Sequence, residues 1–294
     1  MLLQALGNDT ALVHLYKYDA TKPLDYQEKV IEHRDGIKVF EASYASPKRG
    51  RVPLYVIVPQ GKGPFAGIIF QHGGSQTRYT YISEAILLAR VGALSFVLDD
   101  KPQDVDPMKP KEQRDEYIRM VVDMRRAVDL LVSRGDVDRN RIAYVGHSYG
   151  SMLGGVLTAV DKRFKTFVLI ATFLRITDLM RNSPYWAELR KDATPAQFND
   201  HLAMMATLNA ENYVSQSAPA SVLVQCGRFD VGVTQKDCGG VYEAASTPKR
   251  LASYDSDHDF NDLGATLDRM KWLEEKLLLK PLGPVLQRYL EKDK

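Results

Sequence analysis

The stretch Arg141-Ile-Ala-Tyr-Val-Gly-His-Ser-Tyr-Gly150 decides how the rest of the chain is read. A short β-branched and aromatic run, which predicts a strand, ends in Gly146-x-Ser148-x-Gly150 and leads into a Gly-rich helix. A serine hydroxyl is a poor nucleophile unless it is exposed, held in one direction and next to a base. A tight strand-to-helix turn does the holding by forcing strained backbone angles on Ser148. It closes only if the residues two before and two after lack side chains, hence Gly146 and Gly150. The same turn aims the first backbone N–H groups of the helix at whatever the serine attacks. Five residues alone also fit a Gly-rich turn with an incidental serine, so the flanks have to discriminate.

Outward from that turn the chain alternates. Upstream, Ala66-Gly-Ile-Ile-Phe70 reads as a buried strand, followed by a helix over 79–90, a strand over 93–98 and a long helix over 112–134. In that long helix Tyr117, Val121, Met124, Val128 and Leu131 step by four and three, and Gly135 ends it. Downstream come strands over 166–171, 221–225 and 250–254, with helices over 236–245 and 262–278. Alternation of this kind predicts right-handed crossovers and a parallel sheet covered on both faces. Residues 30–58 are different: the alternating Lys38-Val-Phe-Glu-Ala-Ser-Tyr44 and the run Pro53-Leu-Tyr-Val-Ile-Val58 predict antiparallel strands, with turns at Asp35-Gly36 and 47–50. Residues 172–220 interrupt the rhythm. Thr194-Pro195-Ala-Gln197 is a capped helix start, and Phe198, Leu202, Met205 and Leu208 then share a face. We read this segment as a helical insert, cap-like, over the C-terminal edge of the sheet within one α/β domain.

Ligands of an open parallel sheet meet the carboxyl ends of its strands. Strand 66–70 is followed by Gln71-His-Gly-Gly-Ser75, strand 141–145 by Ser148, strand 221–225 by Cys226-Gly-Arg-Phe-Asp230, and strand 250–254 by Asp255-Ser-Asp-His-Asp259. An oxyanion loop, a nucleophile, an acid and a base thus follow in order. In this order, and in Val137 to Gly150, Gln71-His-Gly-Gly74 and Gln225 to Asp230, the chain resembles the α/β hydrolases. It is nearest to their dienelactone hydrolase and acetyl-xylan-esterase-like branch, over roughly residues 52–278. Dienelactone hydrolases proper carry cysteine at the nucleophile position; Ser148 stands there in this chain and points to an ester hydrolase relative. The resemblance implies the α/β-hydrolase fold, mostly parallel with antiparallel N-terminal strands, and no cofactor.

The expected roles follow from acyl-transfer chemistry. Ser148 is the nucleophile, His258 the general base and then acid, and Asp230 the group that fixes the imidazole tautomer. The oxyanion hole is expected at the backbone N–H of Tyr149 with that of Gly74 or Ser75. Among six histidines, His14 and His33 precede the core, His201 lies in the insert, and His72 belongs to the oxyanion loop. His147 adjoins the serine and is expected to point away from the hydroxyl, which leaves His258. Asp178, after the 166–171 strand, is the other carboxylate placed to serve as acid. Tyr79, Phe173, Trp186 and Phe229 are candidates for the substrate pocket. Asp99-Asp100 are read as capping residues. Asp255, Asp257 and Asp259 do not make a calcium loop, because Phe260 and Thr266 stand where such a loop needs Gly and Glu; no metal is expected.

Bulk properties exclude other classes. The 294 residues are 45% hydrophobic and 26% charged with net charge +2, ordinary for a globular protein and without the basic stripe that nucleic acid requires. No apolar run is long enough to span a bilayer. Met1-Leu-Leu-Gln-Ala-Leu6 has no basic start and is too short for a signal, so a cytoplasmic protein, or an exported one already processed, is expected. Two cysteines do not make a disulfide framework; Cys226 and Cys238 are read as buried thiols. The expected partner is a compact ester, short in its acyl chain, and oligomeric state is not legible. Two rival readings stay open: a prolyl-peptidase-like amidase, and a hydrolase fold retained for binding alone.

Overall fold

The computed structural model describes residues 12–74, 76–102, 106 and 108–291. Nine strands form one sheet: β1 (Gln27–Arg34), β2 (Ile37–Ala45), β3 (Arg51–Val58), β4 (Phe65–Gln71), β5 (Ala93–Leu98), β6 (Val137–His147), β7 (Thr166–Ile170), β8 (Ser221–Gly227) and β9 (Lys249–Tyr254). Their order is β1-β2-β3-β5-β4-β6-β7-β8-β9. β1, β2 and β3 pair antiparallel, and β3 joins β5 antiparallel. From β5 through β9 all neighbours are parallel.

Burial explains why the two halves look different in sequence. β4, β5, β7 and β8 are buried at every position, as strands sandwiched between helices must be, so they read as unbroken apolar runs. β2 alternates between buried and exposed residues, and β1, at the outer edge, is exposed along its length.

Helices cover both faces. On one side α2 (Pro110–Ser133) and α3 (Tyr149–Val160) pack over Leu54, Ile69, Phe96 and Tyr144. All five apolar positions read from the α2 periodicity are buried, and the chain turns at Gly135 with φ 74°. On the other side α1 (Ile82–Ala89) and α8 (Leu263–Leu277) cover Ile68, Phe70, Val97 and Val145. A further helix, α9 (Gly283–Glu291), was not anticipated.

Residues 172–220 form α4 (Ile176–Asn182), α5 (Ala187–Asp192), α6 (Pro195–Met205) and short 3-10 turns. Thr194 and Gln197 make the expected reciprocal cap. α6 leans on α2, where His201 Nε2 lies 2.7 Å from Gln113 Oε1. α7 (Gln235–Ala244) follows β8. Among the described residues no helix is long and apolar enough to cross a membrane.

The cysteine reading needs correction: Cys226 and Cys238 are joined in a disulfide, with Cα atoms 5.9 Å apart. Counting cysteines tests for a framework of bridges and is blind to a single local one. Here topology makes the pair, because α7 packs back against the strand that carries Cys226.

Candidate active site

β4 sits between β5 and β6, so the chain leaves β4 toward one side and later enters β6 on the other. The loops after β4 and β6 diverge there, opening the crevice in which parallel sheets hold ligands. Ser148 stands at that point. Its backbone is held at φ 53° and ψ −117°, a left-handed conformation whose strain is of order 1–3 kcal/mol. It is fixed by its N–H donating to Ile170 O at 2.9 Å. A Cβ on Gly146 would fall 2.5 Å from Gly150 O, and one on Gly150 2.5 Å from Gln71 O. Both glycines are therefore sterically required, as the sequence reading supposed.

The loop after β9 brings His258 over the serine. Its Nε2 lies 2.9 Å from Ser148 Oγ and its Nδ1 2.7 Å from Asp230 Oδ2. Because a carboxylate only accepts, Nδ1 carries the proton and Nε2 is left free to take one from the hydroxyl. Asp230 follows β8. Its Oδ1 accepts from the N–H groups of Gly232 (2.9 Å) and Val233 (2.7 Å), so this fully buried carboxylate is satisfied on both oxygens. The loops that carry Asp230 and His258 are stitched together where Arg228 N–H donates to Tyr254 O and Phe229 N–H to Ser256 O. Asp178 lies elsewhere: on α4 it faces Arg175 and Arg181.

Tyr149 opens α3, where a backbone N–H has no acceptor within the helix. Its side chain braces the loop after β4: the hydroxyl donates to Asp100 O (2.9 Å) and accepts from Gln71 Nε2 (3.0 Å). Gly74 shares a cavity wall with Ser148. Ser75 lies outside the described residues.

That cavity, of about 540 Å³, is lined by Gly74, Ser148, Tyr185, Phe229, Val231, Asp257, His258 and Asp259. Of the four pocket candidates only Phe229 is on its wall. Phe173 is buried in the core, Trp186 packs against that core, and Tyr79 meets the Tyr55 hydroxyl at 3.1 Å. The aromatic ring supplied by the insert is instead Tyr185, one residue before Trp186. It stands 5.2 Å from the His258 ring and lies so close to Gly232 that a Cβ there would overlap it. The Ser183-Pro184 turn before Tyr185 is the one sequence signal that bears on it. A larger cavity of about 730 Å³ lies at the opposite ends of the strands, near Phe65, Arg90 and Arg141, and among the described residues no serine, cysteine or histidine lines it. The smaller one carries on its wall a serine hydroxyl and an imidazole in hydrogen-bond contact, Ser148 and His258.

The other polar groups nearby are structural. His72 is buried, with Nδ1 2.7 Å from Gly73 O, and burial lowers its basicity. Asp99 lies beside His72 and Arg78. Asp100 is buried against Arg119, which also holds Glu116 and Asp123. Asp255 pairs with Arg228 at 2.6 Å. The residue underestimated from sequence is His147. It is buried beneath His258, its Nε2 donates to His258 O at 2.6 Å, and burial first, with neighbouring His258 second, pushes its pKa down to about 3.

Residues 113–250 match the prolyl oligopeptidase family, a span that holds Ser148 and Asp230 but not His258. Among solved structures, the chain is similar to an acetyl xylan esterase from Paenibacillus sp. R4 (TM-score 0.73, 21% identity, covering 91% of this chain and 92% of that one). It is also similar to acetyl xylan esterase 1 from Thermoanaerobacterium sp. JW/SL YS485 (TM-score 0.76, 15% identity, 92% and 94%). An S-formylglutathione hydrolase from Agrobacterium tumefaciens aligns with TM-score 0.62 at 16% identity over 85% and 99%. At such identities the likeness is one of fold.

Proposed function

We propose that this chain, an α/β hydrolase in fold, is a serine carboxylesterase that works through an acyl-enzyme. One observation carries the reading: the unbroken line from Ser148 Oγ to His258 Nε2 at 2.9 Å and from His258 Nδ1 to Asp230 at 2.7 Å. In this scheme His258 takes the hydroxyl proton as Ser148 attacks the ester carbonyl. The tetrahedral oxyanion is met by the N–H groups of Tyr149 and Gly74, and the imidazolium returns its proton to the departing alcohol. Water then repeats the sequence on the acyl-enzyme. No metal or organic cofactor is needed for either half. The reading extends to compact esters with short acyl chains, since residues 172–220 add only short helices rather than a large lid over the cavity.

The test is direct. A fluorophosphonate should add one phosphonyl group, located on Ser148 by mass spectrometry. Ser148→Ala should lower kcat for p-nitrophenyl acetate by about 10⁶. An unlabelled Ser148, or an active Ser148→Ala enzyme, would sink the proposal. Rates on esters from acetate to octanoate should fall with chain length. The match over residues 113–250 supports a second reading, amide hydrolysis. A prolyl anilide turned over faster than p-nitrophenyl acetate would select it. Tight binding of an ester without a burst of alcohol would point to a binding protein.

A further inference from the structure

We propose that His147 is a positioning residue that sets where the catalytic base stands, by holding the backbone of His258 rather than its side chain. This rests on the esterase reading above.

His147 is the last residue of β6. Side chains alternate along a strand, so Ala143, Val145 and His147 share one face, and the first two belong to the core under α1 and α8. The third extends that row past the end of the apolar layer, to the place where the loop between β9 and α8 crosses the sheet. What it meets there is His258 O, at 2.6 Å from Nε2. A carbonyl only accepts, so Nε2 carries the proton and Nδ1 is bare. Among the described residues Nδ1 has no hydrogen-bond partner. It faces Gly73, where a Cβ would fall 2.4 Å away.

One buried imidazole therefore touches three parts of the site. It is bonded through the chain to Ser148, through a hydrogen bond to the main chain of the base, and by contact to the loop expected to supply an oxyanion donor. The Asp230 contact fixes the rotation of the His258 ring; the His147 contact fixes the height of its backbone. Phe260, two residues further along the same loop, packs its ring 6.3 Å from the His147 ring, a second contact between that loop and His147. A base displaced by about 1 Å can lose a factor on the order of 10² in rate without any change in binding.

The test compares two amides of similar polarity. Gln at 147 reaches as far as Nε2 and can donate to His258 O, whereas Asn reaches only as far as Nδ1. His147→Asn should lower kcat for p-nitrophenyl acetate by 10- to 100-fold with KM within about threefold, and slow fluorophosphonate labelling of Ser148 in proportion. His147→Gln should recover kcat to within about fivefold of the parent. Both are assayed well below their melting temperatures, and His147→Leu, if it folds, should behave like Asn. Equal kcat in Asn and Gln, whether both high or both low, would overturn the assignment, as would a loss expressed in KM. Ser148→Ala in the same assay separates the two ideas: if it stays active the esterase reading itself fails, and if it is dead while His147→Asn keeps parental kcat, only the positioning role fails.

Discussion

At the scale of single residues, the choice between two carboxylates is the sharpest question the site poses. Asp230 holds the His258 Nδ1 proton and is satisfied by two backbone N–H groups; Asp178 sits between Arg175 and Arg181. Asp230→Asn would present an amide that can donate to Nδ1, stabilising the tautomer whose Nε2 cannot accept from serine. We expect kcat to fall by roughly 10³–10⁴ with the fold intact. Asp178→Asn should leave kcat essentially unchanged, and steady-state rates on both variants decide the matter. The proposed nucleophile and base, Ser148 and His258, were legible as candidates in sequence because their constraints are local: two glycines that must lack Cβ, and a histidine left over after elimination. Tyr185 and the reach of His147 were not, since each depends on which segment crosses over it, and that is decided by loops remote in sequence.

At the scale of elements, the loop that carries Asp230 is a closed unit. Cys226 is the penultimate residue of β8, Cys238 lies in α7, and the bridge between them encloses Phe229, Asp230 and Val231. Thr234 and Asp237 cap α7 from inside the same loop. Closing a loop with a sequence separation of 12 contributes about 3 kcal/mol to stability. Cys238→Ser should therefore lower the melting temperature by about 5 °C, and kcat as well, because the freed segment carries Asp230 and two walls of the cavity. A melting temperature matching the parent's would show that the bridge does not form. The strands and α2 were readable because burial writes directly into composition. The start of β6 was not: Asp138-Arg-Asn140 argues against a strand, yet the pairing of Phe65 with Val137 extends it across a register shift. Nor was α9, a short helix beyond the span the resemblance covered.

At the scale of the whole molecule, the site imposes a pH dependence on folding. His147 is kept neutral by burial, its pKa pushed down to about 3, whereas in the unfolded chain a histidine titrates near 6.5. A group whose folded pKa lies below its unfolded value binds its proton more readily in the unfolded chain. Stability from this source is complete above about pH 6.5 and is lost as pH falls from there toward 3. The buried Asp100 and Asp123 work in the opposite sense. Desolvation raises both carboxyls, so their contribution is present below the ordinary carboxylate range and declines as pH rises. Comparison of a variant with its parent isolates the histidine, since Arg119 and its carboxylates are unchanged in both. His147→Gln cannot titrate. Its unfolding free energy relative to the parent, from urea denaturation, should rise by about 2–3 kcal/mol between pH 7 and pH 4.5. A difference that stays constant over that window would mean the folded protein accepts a proton on His147, and so leaves the imidazole less enclosed than its place beneath the base requires.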